Sequence, residues 1–262
     1  MTGEAASSGW SDDTLLGGRV RLRQPERGYR VAIDPVLLAA SVAAEAEETV
    51  LDIGCGSGAA ALCLAARLAG VRVTGIERDR DLVRLANDNI LRNELGGRVA
   101  AMVGDLLRPP PRLEPGTFHH IMANPPFLEA ARATAPADPG RAAAHLEGEA
   151  DLAAWVRFAL TMVRAKGTIT FIYRADRIAE LLTQFSGRVG EIVIFPFWPG
   201  AGRAARRVIV RGRKGSAAPT RLMPGLVLHA GGGRFSAAAD AVLRDGAALA
   251  LDETAGEPHL SE

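Results

Sequence analysis

An open, doubly wound α/β sheet, mostly parallel and seven-stranded, is the fold that this 262-residue sequence predicts. Three observations predict it. Short apolar runs alternate with amphipathic helical stretches from residue 34 to 186. The first of these runs, Thr49 to Ile53, empties into a glycine cluster, Gly54-Cys-Gly-Ser-Gly58, which stands between a strand and a helix. The following runs end on, or lead into, residues with chemistry to offer: Glu77, Asp105 and Asn124. Ligands in open α/β sheets gather at that edge, beyond the carboxyl ends of the strands.

The elements follow in order. Met1 to residue 17 is small and polar and reads as a disordered leader. Gly18 to Gln24 alternates, with Val20 and Leu22 on one side and Arg19, Arg21 and Arg23 on the other, the period of a half-exposed strand. Pro25 to Gly28 is turn chemistry, and Tyr29 to Ile33 resumes extended, so the two read as a hairpin. Asp34 caps a helix, with Pro35 at its first position, running over Val36, Leu37, Leu38 and Val42. Residues 18–46 thus form an N-terminal hairpin and helix, 47–215 the core, and 216–262 a C-terminal extension and tail. Within the core, Ala59 to Ala69 is helix, Val71 to Ile76 strand, Asp79 the cap of a helix carrying Leu82, Leu85, Ala86 and Ile90, and Arg98 to Val103 strand. Thr117 to Met122 is a fourth strand. Glu129 to Glu149, rich in Ala, Gly and Pro, reads as a mobile loop. Asp151 to Arg164 is helix with Leu152, Trp155 and Val156 inward, Thr168 to Tyr173 strand, and Ala175 to Phe185 helix. Glu191 to Phe195 and Arg207 to Val210 read as a final antiparallel pair. A short strand, Leu226 to His229, and a short helix, Ser236 to Leu243, follow.

Composition narrows the partners. A net charge of +1 gives no global preference for nucleic acid or membrane, so binding surfaces must come from local clusters. Two cysteines, Cys55 and Cys63, are too few for a disulfide framework and lack metal-ligand spacing; they fit a reducing, cytoplasmic setting without a metal. No uncharged apolar stretch is long enough to span a bilayer.

The glycine cluster is spaced Gly54-x-Gly56-x-Gly58 with Asp52 ahead of it, which departs from the Gly-x-Gly-x-x-Gly of a dinucleotide loop. The ligand that fits instead is S-adenosylmethionine. Asp52 would hold its ammonium, loop N–H groups its carboxylate, and the small loop residues, Cys55 included, would clear space for the adenosine. Glu77 would take the ribose hydroxyls, and Asp105 the adenine amino group, with Arg78 and Leu106 beside them. Each acid alone could equally be a cap or a surface group; the three together with the loop form a site.

Ala123-Asn124-Pro125-Pro126-Phe127 is a stiff loop, since both prolines fix φ and restrict the residue before them. Alone it is also an ordinary Pro-rich turn. Beside a methyl donor, the Asn124 side-chain oxygen and the Pro125 carbonyl become two acceptors for a planar amino group, with Phe127 as a stacking face.

These motifs resemble the class I S-adenosylmethionine-dependent methyltransferases, a Rossmann-like fold, over roughly residues 30 to 215. Asn124 to Phe127 in that frame looks like the motif of enzymes that methylate planar nitrogen: adenine N6, cytosine N4 or glutamine N5. Arg23-Gln-Pro, Gly28-Tyr-Arg, Ile33-Asp-Pro-Val-Leu-Leu-Ala and the closing Arg206-Arg-Val-Ile-Val-Arg-Gly resemble the bacterial tRNA1(Val) (adenine-37-N6)-methyltransferase family. The resemblance implies an RNA substrate, a tRNA. His119 and His120 stand where such enzymes often carry an acid. Release-factor glutamine methyltransferases carry a longer helical domain ahead of the glycine loop, where this chain has only about fifty residues.

Two basic clusters offer contacts to RNA: Arg21, Arg23 and Arg30 with their neighbours near the N-terminus, and Arg203, Arg206, Arg207, Arg211, Arg213 and Lys214 beside Trp198. Each is also readable as a solvated strand face. Three further functions compete: protein-glutamine N5-methylation on the same chemistry, a non-catalytic scaffold that binds S-adenosylmethionine or RNA, and, last, a nicotinamide oxidoreductase.

Overall fold

The computed structural model describes residues 9–26, 31–126 and 151–252. Its centre is a parallel run of strands. These are β3 (Thr49–Ile53), β4 (Arg72–Glu77), β5 (Val99–Val103), β6 (Phe118–Ala123) and β7 (Val163–Arg174). The antiparallel pair β8 (Val189–Gly200) and β9 (Arg207–Lys214) extends them on the β7 side. The expected parallel sheet with its late antiparallel pair is therefore present, but it is wider than seven strands. β10 (Arg221–Leu222), β11 (Leu226–Gly231) and β12 (Arg234–Phe235) join the same sheet, giving ten strands in the order β12-β11-β8-β9-β7-β6-β3-β4-β5, with β10 pairing β8 off this path. The segment after residue 215 is thus sheet edge. β10 and β12 have two residues each, too short for any periodicity to register.

The helices lie on both faces. α1 (Asp34–Ala40), α2 (Ala59–Arg67), α3 (Arg80–Arg92) and α6 (Ala237–Leu243) cover one face. α4 (Leu152–Met162) and α5 (Ile178–Phe185) cover the other. Strand residues alternate between the two layers: Val50, Val73, Met122 and Ile172 pack on the first face, and Leu51, Ile76, Ile121 and Phe171 on the second. Helix starts follow the expected chemistry. Asp79 accepts from the N–H groups of Asp81 and Leu82, and Asp151 from that of Ala154. Asp34 is not a cap: Ile33 holds that position, and Asp34 sits in the first turn beside Pro35.

The N-terminal hairpin corrects the sequence reading. β1 (Trp10–Leu15) pairs antiparallel with β2 (Val20–Pro25), so the partner of β2 comes from the stretch taken as leader rather than from Tyr29 to Ile33. β1 carries no apolar face, and its Asp12 opposes Arg23 and forms an ion pair with it at 2.9 Å. β2 buries Val20 and Leu22 against the first layer. Asn87 of α3 closes the outer edge strand β5, donating to the Ala101 carbonyl at 3.0 Å and accepting its N–H at 3.3 Å.

Two features belong to the opposite end of the sheet. His120 bridges Thr168 Oγ1 at 2.7 Å and Glu48 Oε2 at 2.8 Å, and His119 Nδ1 lies 2.9 Å from Thr49 Oγ1. Burial holds the His120 pKa down despite the Glu48 carboxylate. Both histidines are structural pins at the start of β6. Among the described residues no helix is long and apolar enough to cross a membrane, and no group of three or more His, Cys, Asp or Glu side chains could hold a metal ion.

Candidate active site

The sheet turns its strand order at β3, which pairs with β4 on one side and β6 on the other. Open sheets leave a crevice at such a switch point. Ile53 pairs with Ala123 and with Ile76, and Glu77 with Val103. The glycine loop, Glu77, Asp105 and Asn124 therefore leave the sheet side by side. They enclose a cavity of about 800 Å³, whose wall includes Asp52, Gly54, Cys55, Gly56, Glu77 and Arg78. Asp105, Leu106, Asn124, Pro125 and Pro126 are on the same wall.

Gly54 and Gly56 hold φ at 68° and 54°, the left-handed region that side chains avoid. A Cβ on Gly54 would also lie 2.5 Å from the Trp155 ring. Gly56 donates its N–H to Glu77 Oε2 at 3.1 Å, and Asp79 donates to Glu77 Oε1 at 3.0 Å. Glu77 thus braces the loop while each oxygen retains acceptor capacity. Asp105 Oδ1 accepts from Leu107 at 2.9 Å, an Asx-type turn that fixes its carboxyl. Gly58 is off the cavity wall. It caps α2 at φ 85° and lies against Ala86, where a Cβ would stand 3.4 Å from the Ala86 methyl. Cys55 tucks against Gly75, and burial raises its thiol pKa well above the usual value, so it is inert filler on the wall.

Asp52 is 2% exposed, and its Oδ2 is buried without a hydrogen-bond partner. Burial, reinforced by the nearby Glu77 charge, pushes its pKa up to about 8. A buried carboxyl oxygen left without a donor suits a ligand ammonium. With the side-chain-free approach at Gly56, where an added Cβ would meet nothing within 4 Å, and the braced Glu77, the residues present fit S-adenosylmethionine.

Two parts of the wall were missed in the sequence. Trp155 reads there only as an inward helix position; its indole tip covers Gly54 and lines the cavity. Pro25, Val31, Pro35 and Leu38 form an apolar wall that comes from the hairpin, the segment after it and α1. Gln24 holds that segment, accepting the Val31 N–H at 2.8 Å.

The second basic cluster divides along β9. Its start pairs with the end of β7 at Arg174, on the cavity edge; its end runs to the far edge. Arg203 and Arg206 are exposed and make no ion pair among the described residues, and Arg207 ties β9 to α1 through Asp34 at 2.9 Å. Arg211 is buried and paired with Asp252, and Arg213 pairs with Glu191 at 2.6 Å. Lys214 donates to the carbonyls of Leu160 and Val163. These last three are structural, held by acceptors distant in sequence. Trp198 is pinned by its Nε1, which donates to the Pro224 carbonyl at 2.9 Å. In the first cluster Arg21 is exposed and Arg23 is paired with Asp12. Arg30, Phe127 and the 129–149 loop lie outside the described residues.

The family described as the methyltransferase small domain matches residues 31–146. The tRNA1(Val) (adenine(37)-N6)-methyltransferase of Actinobacillus succinogenes is 29% identical over 196 residues, 73% of this chain and 80% of that protein. The release factor glutamine methyltransferase of Geobacter sulfurreducens is 36% identical over 41% of this chain but only 34% of that protein. Among solved structures, a predicted O-methyltransferase from Agrobacterium tumefaciens superposes with a TM-score of 0.69 at 26% identity, covering 82% of this chain and 98% of that one.

Proposed function

This chain is a class I S-adenosylmethionine-dependent methyltransferase, and from that premise we propose that it methylates the exocyclic N6 of an adenine in RNA, an anticodon-loop adenine of a tRNA. The observation that carries the reaction type is the pairing of Ile53 with Ala123, which sets the Asn124-Pro125 acceptors beside the glycine loop. S-adenosylmethionine supplies the electrophilic methyl group on its sulfonium.

The chain's own residues do the rest. Asp52 would take the ammonium, Glu77 the ribose hydroxyls and Asp105 the adenine of the cofactor. The N–H groups of Gly54, Cys55, Gly56 and Gly58 already donate within the protein, to Ile76, Glu77 and Cys55, and shape the loop rather than bind the carboxylate. Arg78, Leu106 and Trp155 complete the wall. Asn124 Oδ1 and the Pro125 carbonyl accept the two N–H bonds of the acceptor amine. The amine lone pair, otherwise delocalised into the ring, is then directed at the methyl and gains sp³ character as charge develops. The nitrogen–methyl bond forms as the sulfur–methyl bond breaks, leaving a neutral thioether. The methylated ammonium is acidic and loses its proton to water afterwards, so no strong base is required beforehand. Pro126 stiffens the loop and Phe127 stacks on the base. Positioning and fixed dipoles account for most of the rate.

Three things favour RNA as the acceptor. The segment ahead of the core that ends in the cavity wall at Pro25 is a short hairpin rather than a helical domain. Arg21, Arg203 and Arg206 are exposed, and Arg203 and Arg206 lie near the cavity edge. The relative matched over most of its length is named for tRNA adenine methylation. An unpaired loop adenine enters the cavity without the cost of leaving a helix. Protein-glutamine N5-methylation is the second reading; it uses the same clamp and is favoured by the 36% match to a glutamine methyltransferase. Mass spectrometry of tRNA nucleosides from a deletion strain tests the choice. Loss of N6-methyladenosine is expected. Unchanged tRNA with a newly unmethylated protein glutamine would move the enzyme to the second reading.

A further inference from the structure

The hairpin is a two-stranded sheet of its own, and such a hairpin is marginally stable in water. Helix α3 closes its outer edge. Asn93 Oδ1 accepts the Arg21 N–H at 2.8 Å, and its Nδ2 donates to the Arg21 carbonyl at 2.7 Å. Asn89 does the same for Arg23, at 2.8 Å in each direction. Two strand residues advance about 6.6 Å and four helical residues about 6.0 Å. Carboxamides four apart on α3 therefore meet alternate residues of β2, as a third strand would.

Asn89 differs from Asn93 in burial and in where its second donation goes. Asn93 Nδ2 donates again within its own helix turn, to the Asn89 carbonyl at 2.8 Å, whereas Asn89 is fully buried and its Nδ2 donates to the Ser57 carbonyl at 3.0 Å. Ser57 belongs to the glycine loop and is itself buried. One carboxamide thus joins the hairpin backbone to the loop on which the cofactor rests. That loop carries three left-handed glycines, Gly54, Gly56 and Gly58, and Glu77 braces it at Gly56 from the other side.

We propose that Asn89 is a positioning residue for the cofactor loop, and that through it the docking of a nucleic-acid backbone on the hairpin and the binding of S-adenosylmethionine reinforce each other. The second half rests on the RNA reading; the first does not. Without Asn89 the Ser57 carbonyl is left unpaired and the loop samples other conformations, which binding must then freeze out. A hairpin fixed by a bound polyanion holds Asn89 against Ser57, and by linkage each ligand raises affinity for the other by the same factor.

The experiment is calorimetric titration of S-adenosylmethionine into wild type, Asn89→Ala and Asn93→Ala, with melting curves for each. Asn93→Ala loses the same pair of hairpin bonds but not the Ser57 bridge, so it should melt earlier and bind the cofactor within about twofold of wild type. Asn89→Ala should bind it about tenfold more weakly. Should Asn89→Ala fail to fold, Asn89→Asp keeps the acceptor for Arg23 and loses both donations. Equal affinity in the Asn89 and Asn93 variants, whether both weakened or both normal, overturns the positioning role. With saturating unmodified tRNA, wild type should bind the cofactor about fivefold more tightly and the Asn89 variant should show no gain. Wild type that binds tRNA with unchanged cofactor affinity overturns the coupling. Wild type that binds no tRNA overturns the coupling and the RNA reading together, while the Asn89 and Asn93 comparison still decides the positioning role.

Discussion

Ile53 and Ala123 face each other across the β3–β6 ladder, so Gly54 and Asn124 leave adjacent parallel strands at the same level of the sheet. A donor loop and an acceptor clamp need no other device to be brought together. The separation of their tasks makes the clamp testable on its own. Asn124→Ala should lower methyl transfer by about 10²–10³-fold, the range seen when one fixed dipole at a reacting centre is removed. Cofactor affinity by calorimetry should stay within a few-fold of wild type. Equal loss of both would mean that Asn124 supports the loop rather than the reaction.

Glu77 has two tasks, bracing Gly56 and Asp79 and receiving the ribose. Glu77→Gln keeps an oxygen for one brace but replaces the other with an amino group that faces an N–H. Cofactor affinity should fall by about ten- to a hundredfold, since charge-assisted bonds carry about 1.5–3 kcal/mol. Wild-type affinity in this variant would remove Glu77 from the site.

The shift at Asp52 sets a pH dependence. With its pKa near 8, Asp52 is mostly protonated in the free protein at neutral pH. An α-amino group titrates at about 7.7–8.0. The bound pair is carboxylate with ammonium. Below pH 8 binding must release a proton from Asp52, and above pH 8 the amine must gain one. Affinity should therefore peak near pH 8 and fall on both sides, by up to about tenfold per pH unit. Calorimetry at pH 7 in buffers of differing ionisation enthalpy should find about one proton released. The free protein's stability runs differently. A carboxyl raised from 3.8 to about 8 contributes stability that is full below 3.8 and lost as pH rises through 8, so the cofactor's stabilising effect should be larger at pH 8 than at pH 6. A pH-independent affinity contradicts the assignment of Asp52.

The division of the second basic cluster separates binding from stability. Reversing Arg203 and Arg206 to Glu should weaken tRNA binding and lower the salt dependence of log K by about two, at unchanged melting temperature. Arg211→Ala should instead lower stability by about 1–2 kcal/mol, the reduced cost of breaking a pair whose Asp252 member is largely exposed, with tRNA affinity retained. Filter binding across a salt series, with melting curves, distinguishes them.

Much of this was legible in the chain because the relevant signals are local. Glycine spacing, strand-end acids and the Asn124-Pro125-Pro126 run name their own backbone requirements, and helix starts at Asp79 and Asp151 declare themselves through capping. β1 was hidden because it is held by its ladder with β2, with Asp12 placed near Arg23 and Arg92, and has no apolar face of its own. Trp155 was hidden because a helical period cannot tell a core indole from one that stops at a cavity wall. Arg211, Arg213 and Lys214 looked like free charge because their acceptors, Asp252, Glu191 and the end of α4, are remote in sequence.

The most direct test uses the purified enzyme with S-adenosylmethionine and an unmodified tRNA transcript, followed by mass spectrometry of the nucleosides. N6-methyladenosine formed by wild type and absent with Asn124→Ala is the predicted result. A tRNA left unmethylated, with the methyl group recovered on protein glutamine instead, would contradict it.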